Sequence, residues 1–215
     1  MHTGVRVDAI RHPASGAWEV HYRQEGQEPA RLTGDQVLVA VGRRPNTAGL
    51  AWERAGIRLG PRAEVPVDAA SRTAVPHIYA PGDVNGGIML AHAATRQSQL
   101  AARHLLGLPV EPLPVVPHVI FSDPEIAAVG ADSRDLADHP GWRVTRWPYA
   151  QDARARIVGD LQGFAQMGWD PADHRPYGLQ VIGRNAGELI HGATQVITRG
   201  GTMDDIAASI HPPRP

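Results

Sequence analysis

The chain contains no cysteine in its 215 residues. That absence excludes disulfides, thiolate metal sites and any redox thiol pair carried by this polypeptide. Charge of one sign is not in excess either. The 21 basic and 22 acidic side chains leave the chain near neutral, and no basic stripe points to nucleic acid or an anionic membrane surface. No apolar run reaches the roughly 18 residues that a membrane-spanning helix needs. The opening stretch "MHTGVRVDAI" has no apolar signal-peptide core, so a cytoplasmic protein is expected. No G-x-G-x-x-G turn occurs, which removes the usual cradle of a dinucleotide pyrophosphate. The histidines form no H-x-x-x-H pair or ligand group, so no metal site is expected.

What is present reads as a mixed α/β chain, with 23 Gly and 19 Pro but no repeat period. "GVRVDAIRH", "GAWEVHYRQ" and "ARLTGDQVLVAVG" read as strands, the first two joined by the turn "PASG". The continuous apolar run Gln36 to Val41 fits a strand buried on both faces, as in a parallel sheet. "SRTAVPHIYA" reads as a second buried strand, and Ala48 to Ile57 as a short helix ending at Gly56. Met89 to Leu106 reads as an Ala-rich helix stopped by Gly107 and Pro109. The proline-rich "GLPVEPLPVVP" that follows marks a domain boundary. Beyond it, the short strands "HVIFSD" and "IAAVG" are followed by the longer "WRVTRWPY" and "QGFAQMGW" and by "PYGLQVIG", and two helices close the chain. In Ala186 to Arg199 the apolar residues Leu189, Ile190, Ala193, Val196 and Ile197 share one helical face. Thr202, with Asp204 and Asp205 in the following turn, reads as the cap of the last helix.

Four segments carry the functional signal: "VLVAVGRRPNT" (37–47), "HIYAPGD…LAHAA" (77–94), "FSDPEIAAVG" (121–130) and "GELIHGATQVI" (187–197). In that order they resemble the C-terminal half of the class I pyridine nucleotide-disulfide oxidoreductases. The dihydrolipoamide dehydrogenase and mercuric reductase branch is the nearest. Each motif alone is a common turn or strand; the order and spacing make the resemblance specific, and it covers nearly the whole chain. It implies FAD as cofactor through a partial site, with NAD(P) in an intact family member. In this family a strand ending in Gly-Asp brings its carboxylate to the ribityl chain of the flavin, which places Gly82 and Asp83. A carboxylate accepts hydrogen bonds from hydroxyls strongly, and Gly82 permits close backbone approach. The helix that follows directs its N-terminal N–H groups at the flavin, which places Met89, Leu90, Ala91 and His92. Its positive end stabilises negative charge on the reduced ring. Gly42 and Arg43 are placed beside the cofactors. Without the family context, the same residues read as a turn, a solvated basic stretch and an ordinary helix start.

The fold expected is an α/β set of partial FAD/NAD(P)-binding segments followed by an α+β dimerisation domain. The boundaries are 1–47 for the tail of the NAD(P)-binding domain, 48–111 for the end of the FAD-binding domain, and 112–215 for the dimerisation domain. A homodimer through residues 112–211 is the implied partner. The family's glycine-rich turn and cysteine pair have no counterpart here, so the expectation is a fragment, inactive alone, whose run "QVLVAV" lacks sheet partners. The family also ends in a His-x-His-Pro-Thr segment and a nearby Glu. In "SIHPPRP", His211 aligns with the first His and Pro213 with the proton-carrying second. A shifted register would make His211-Pro212 the catalytic pair, at the cost of the helix spacing at Ile210. No catalytic residue is therefore assigned. Two other readings stay open: a non-catalytic dimerisation module or broken-gene product, and a flavoprotein of the ferredoxin or rubredoxin reductase kind.

Overall fold

The structure, a computed structural model, describes residues 1–14, 16–132, 135 and 138–210. His211 and Pro213 lie outside these. The chain divides into two units, residues 1–43 and 44–215.

The first unit is an antiparallel meander of β1 (Val5–Arg11), β2 (Trp18–Gln24) and β3 (Ala30–Gly34). β2 is the central strand, and Tyr22 on it is buried. Arg23 on β2 donates twice to the Asp8 carboxylate on β1, at 2.7 and 2.8 Å. β3 stops at Gly34, and Gln36 to Val41 do not form the expected buried strand. Leu38 is 91% and Val41 88% exposed. A strand buried on both faces needs a ladder on each side, and no described strand pairs with this run. The apolar sequence is there, but among the described residues no sheet encloses it.

The second unit opens with turns around a small core of Ile57, Val65 and Ala80, with Trp52, Val67, Val75, Ile78 and Val84 against it. Where the sequence suggests a short helix over Ala48 to Ile57, a single 3₁₀ turn forms at Trp52–Ala55, ending at Gly56 as expected. The second expected strand, "SRTAVPHIYA", is instead a tight loop with one antiparallel bridge, Arg72 to Tyr79. The Asp68 carboxylate takes the N–H groups of Ala70 and Arg72, both at 2.9 Å, so the backbone turns before a ladder can start. Pro76 offers no N–H to a ladder. α1 (Ala91–Leu105) follows, and Gly107, at φ 68°, ends it.

The remainder is a five-stranded antiparallel sheet of β4 (His118–Ile120), β5 (Ile126–Gly130), β6 (Arg143–Pro148), β7 (Phe164–Trp169) and β8 (Pro176–Ile182), in the order β4-β5-β8-β7-β6. α2 (Ala153–Val158) lies between β6 and β7. α3 (Ala186–Thr198) covers one sheet face, and α4 (Met203–Ala208) follows it. Alternate residues of β5 and β8 (Ala127, Val129, Leu179 and Val181) point at Ala186, Ile190 and Ala193 of α3 and form the main core with Tyr149 and Ala155. Two alanines on α3 let helix and sheet approach closely around Ile190. The Thr202 cap of α4 is a full capping box closed by Asp205.

Candidate functional site

The loop from Ala80 to Leu90 and the first half of α1 form one packed assembly. Gly82 is buried, with φ 88° and ψ −159°, a conformation open to glycine and strained for side chains. A Cβ at this position would lie 3.2 Å from the Ala94 Cβ on α1. The backbone therefore rests directly on the helix. Asp83, Val84 and Asn85 make a single 3₁₀ turn closed by Gly86 at φ 69°. The turn leaves Asp83 exposed at its tip.

Three side chains hold this turn. The Gly82 N–H donates to Gln97 Oε1 at 2.6 Å. Asn85 Nδ2 donates to the same oxygen at 3.0 Å and to the Ala80 carbonyl at 3.1 Å. Asn85 Oδ1 accepts the Gly87 N–H at 3.0 Å. From the other side, the Arg62 guanidinium donates to the Gly86 carbonyl at 2.9 Å, and the Val65 N–H to the Val84 carbonyl at 2.9 Å. Gln97, Asn85 and Arg62 were not legible as site residues. Asn85 between glycines is a turn signal, but Gln97 lies twelve positions further on, and only the packing of α1 brings it back.

The helix starts at Ala91, two residues after the expected Met89, and its start is apolar as the sequence reads. Leu90 is the N-cap and makes no side-chain capping bond, and the first turn holds no acidic residue. The first intrahelical bond runs from the Ala94 N–H to the Leu90 carbonyl, so the N–H groups of Ala91, His92 and Ala93 have no intrahelical acceptor. Ala91 and His92 are exposed, whereas Met89 and Leu90 are half-buried. The His92 ring turns to the side: its Nε2 donates to the Pro117 carbonyl at 2.8 Å. That bond ties the helix start to the residue before β4. At the other end, Tyr79 and His104 share a 2.6 Å hydrogen bond.

Gly82, Asp83 and the residues Met89 to His92 are thus brought onto one scaffold, the helix α1. Gly42 and Arg43 end the first unit. Both are exposed, and Gly42 has φ 112°.

Comparison with known proteins adds the decisive observation. Residues 1–98 match the family described as pyridine nucleotide-disulphide oxidoreductase, and residues 116–214 match the dimerisation domain of that same family. The chain belongs to the pyridine nucleotide-disulphide oxidoreductases. It is 38% identical over 190 residues to a dihydrolipoamide dehydrogenase of Chaetomium thermophilum, covering 87% of this chain and 38% of that protein. A dihydrolipoyl dehydrogenase of Geobacillus stearothermophilus is 38% identical over 195 residues, covering 89% of this chain and 41% of that one. Among solved structures, LpdA from Mycobacterium tuberculosis superposes with a TM-score of 0.83 at 30% identity, over 98% of this chain and 46% of that one. The HOCl-induced flavoprotein disulfide reductase RclA from Escherichia coli gives 0.83 at 26% identity, over 96% and 47%. This chain spans less than half the length of these relatives. Partial nucleotide-binding segments followed by a dimerisation domain, the expected architecture, is the one found.

Proposed function

We propose that this chain supplies part of the flavin site and the self-association domain of an FAD-dependent oxidoreductase that passes electrons from NAD(P)H to a disulfide or a mercuric ion. Asp83 accepts hydrogen bonds from the ribityl hydroxyls. Gly82 keeps the backbone close, and the segment Met89 to His92, which enters α1 at Ala91, turns its N–H groups to the flavin. Gly42 and Arg43 lie beside the cofactors, and residues 112–211 carry the homodimer contact. FAD, when bound, supplies the redox chemistry; these residues bind and orient it.

One observation carries the reading. An exposed carboxylate is locked on a glycine turn against a helix whose first turn has neither a capping side chain nor an acidic residue. An acidic cap would compete with the ligand for the same N–H groups. The remaining support is family membership.

The contacts are too few for tight binding alone. A charge-assisted hydrogen bond contributes about 1.5–3 kcal/mol, whereas micromolar affinity needs roughly 8 kcal/mol. The purified chain should therefore retain no FAD. It should also oxidise NAD(P)H no faster than free flavin does, because it has no cysteine and no glycine-rich phosphate turn. Supplying the nucleotide-binding N-terminal part of the Geobacillus stearothermophilus relative in trans should restore FAD binding. In that assembly Asp83→Ala should weaken binding about tenfold or more, as the loss of one such bond requires, and Asp173→Ala should leave it unchanged. Equal FAD affinity for Asp83→Ala and its parent would remove Asp83 from the site.

A further inference from the structure

We infer that Gln97 is the positioning residue for Asp83, and that the acceptor oxygen of its side chain is what the position requires. The inference rests on the reading of Asp83 as a flavin contact, but the geometry beneath it stands apart from that reading. The Gly82 N–H is a donor that cannot be reversed, and it faces a Gln97 side-chain atom at 2.6 Å. That atom must therefore be the carbonyl oxygen. The Asn85 atom 3.0 Å from the same oxygen must then be its NH₂, which also reaches the Ala80 carbonyl. The other end of Asn85 is left as an oxygen, and it meets the second fixed donor, the Gly87 N–H. Two backbone N–H groups thus dictate the sense of both amides, and the set closes without conflict.

The consequence falls on Asp83. Its carboxylate hangs from the residue immediately after Gly82, and the Gly82 N–H is anchored to α1 only through Gln97 Oε1. Ala94, one turn before Gln97 on the same helix face, is small enough for Gly82 to rest on. Ala94 limits how near the turn lies, and Gln97 fixes its rotation. Any side chain at position 97 with an acceptor at the same reach should serve, and an apolar one should not.

Amide hydrogen exchange of the ¹⁵N-labelled full chain tests this without any cofactor. Gln97→Glu keeps the acceptor and should leave Gly82 exchange within about twofold of the parent. Gln97→Leu should speed it at least tenfold while Leu100, buried further along α1, keeps its protection. Asn85→Asp leaves α1 unchanged but sets a carboxylate oxygen against the Gln97 oxygen, and should speed Gly82 exchange likewise. If Gln97→Leu disturbs α1 as a whole, the Asn85→Asp result decides. Unchanged Gly82 exchange in the deciding variant overturns the inference. The FAD titration with the N-terminal part in trans supplies the second readout: Gln97→Leu should weaken binding at least fivefold and Gln97→Glu should restore it. Gln97→Leu binding like its parent while Asp83→Ala binds weakly also overturns the positioning role. Asp83→Ala binding like its parent sinks the flavin reading instead, and leaves the exchange result to judge Gln97 as the anchor of the turn.

Discussion

Ile190 is one of the largest fully buried side chains of the dimerisation domain. It is 2% exposed and sits among Ala127, Val129, Leu179, Val181 and Ala193, between α3 and the sheet. Ile190→Ala removes three carbon groups. At about 0.8 kcal/mol each, the transfer loss is about 2.4 kcal/mol. The surrounding residues are held by sheet hydrogen bonds and cannot collapse fully, so a cavity contribution adds to this, for a total of roughly 3–4 kcal/mol. Leu189, its neighbour on α3, is only partly buried. It borders a groove of about 380 Å³ with Met167, Val196 and Ile206. Leu189→Ala should therefore cost about half as much, since less of its surface leaves water on folding. Urea unfolding followed by tryptophan fluorescence measures both, with the midpoint and the slope read separately. A loss under about 1 kcal/mol for Ile190→Ala, or a larger loss for Leu189→Ala, would refute this division of the α3 face into core and groove.

Tyr149 provides a pH test. Burial first, and then the carboxylates of Asp152, Asp160 and Glu125, push its phenol up to about 12; its hydroxyl donates to the Arg184 carbonyl at 2.8 Å. The folded state thus prefers the neutral phenol, so this contribution is whole below pH 10 and is lost as pH rises through 12. The chain has no lysine to titrate in that window, and Tyr149→Phe should flatten the stability profile between pH 10 and 12; an unchanged profile would contradict the assignment. Asp205 acts with the opposite sign. The backbone N–H and then the hydroxyl of Thr202 hold its carboxyl below the usual range, so α4 should fray as pH falls below 4, seen as faster amide exchange at Ile206, and Asp205→Ala should show that exchange already at neutral pH. Asp152→Ala removes the acceptor of the Ala155 N–H, 2.8 Å away at the start of α2, and should lower stability by about 1 kcal/mol in the same unfolding assay. Self-association through residues 112–211 should appear in sedimentation of the full chain as a dimer, with an interface above about 1,000 Å²; a folded monomer at high micromolar concentration would oppose it.

The amino-acid sequence alone determined the features whose causes are local. Thr202 three residues before Asp205 is a capping pattern, Gly107 can take the positive φ that ends α1, and the 3.6-residue spacing of Leu189, Ile190, Ala193, Val196 and Ile197 requires one apolar side. The order of the four motifs was equally legible, and with it the family. Tertiary structure decided what depends on distant partners. Periodicity says that the α3 face is apolar but not that Ile190 enters the core while Leu189 borders a groove; the position of the sheet does that. The run Gln36 to Val41 has the composition of a buried strand, but a strand exists only through hydrogen bonds to neighbours, and no described strand pairs with it here. "SRTAVPHIYA" has a strand's composition, but the Asp68 carboxylate turns its start by taking the N–H groups of Ala70 and Arg72, and the run then folds back on itself, with the Thr73 N–H on the Ile78 carbonyl and the Ala80 N–H on the Ser71 carbonyl. Asp83 could be singled out from its glycine and its motif. Its anchor could not, because Gln97 has no local pattern around it. The helix lying back across the turn is what sets that oxygen 2.6 Å from the Gly82 N–H.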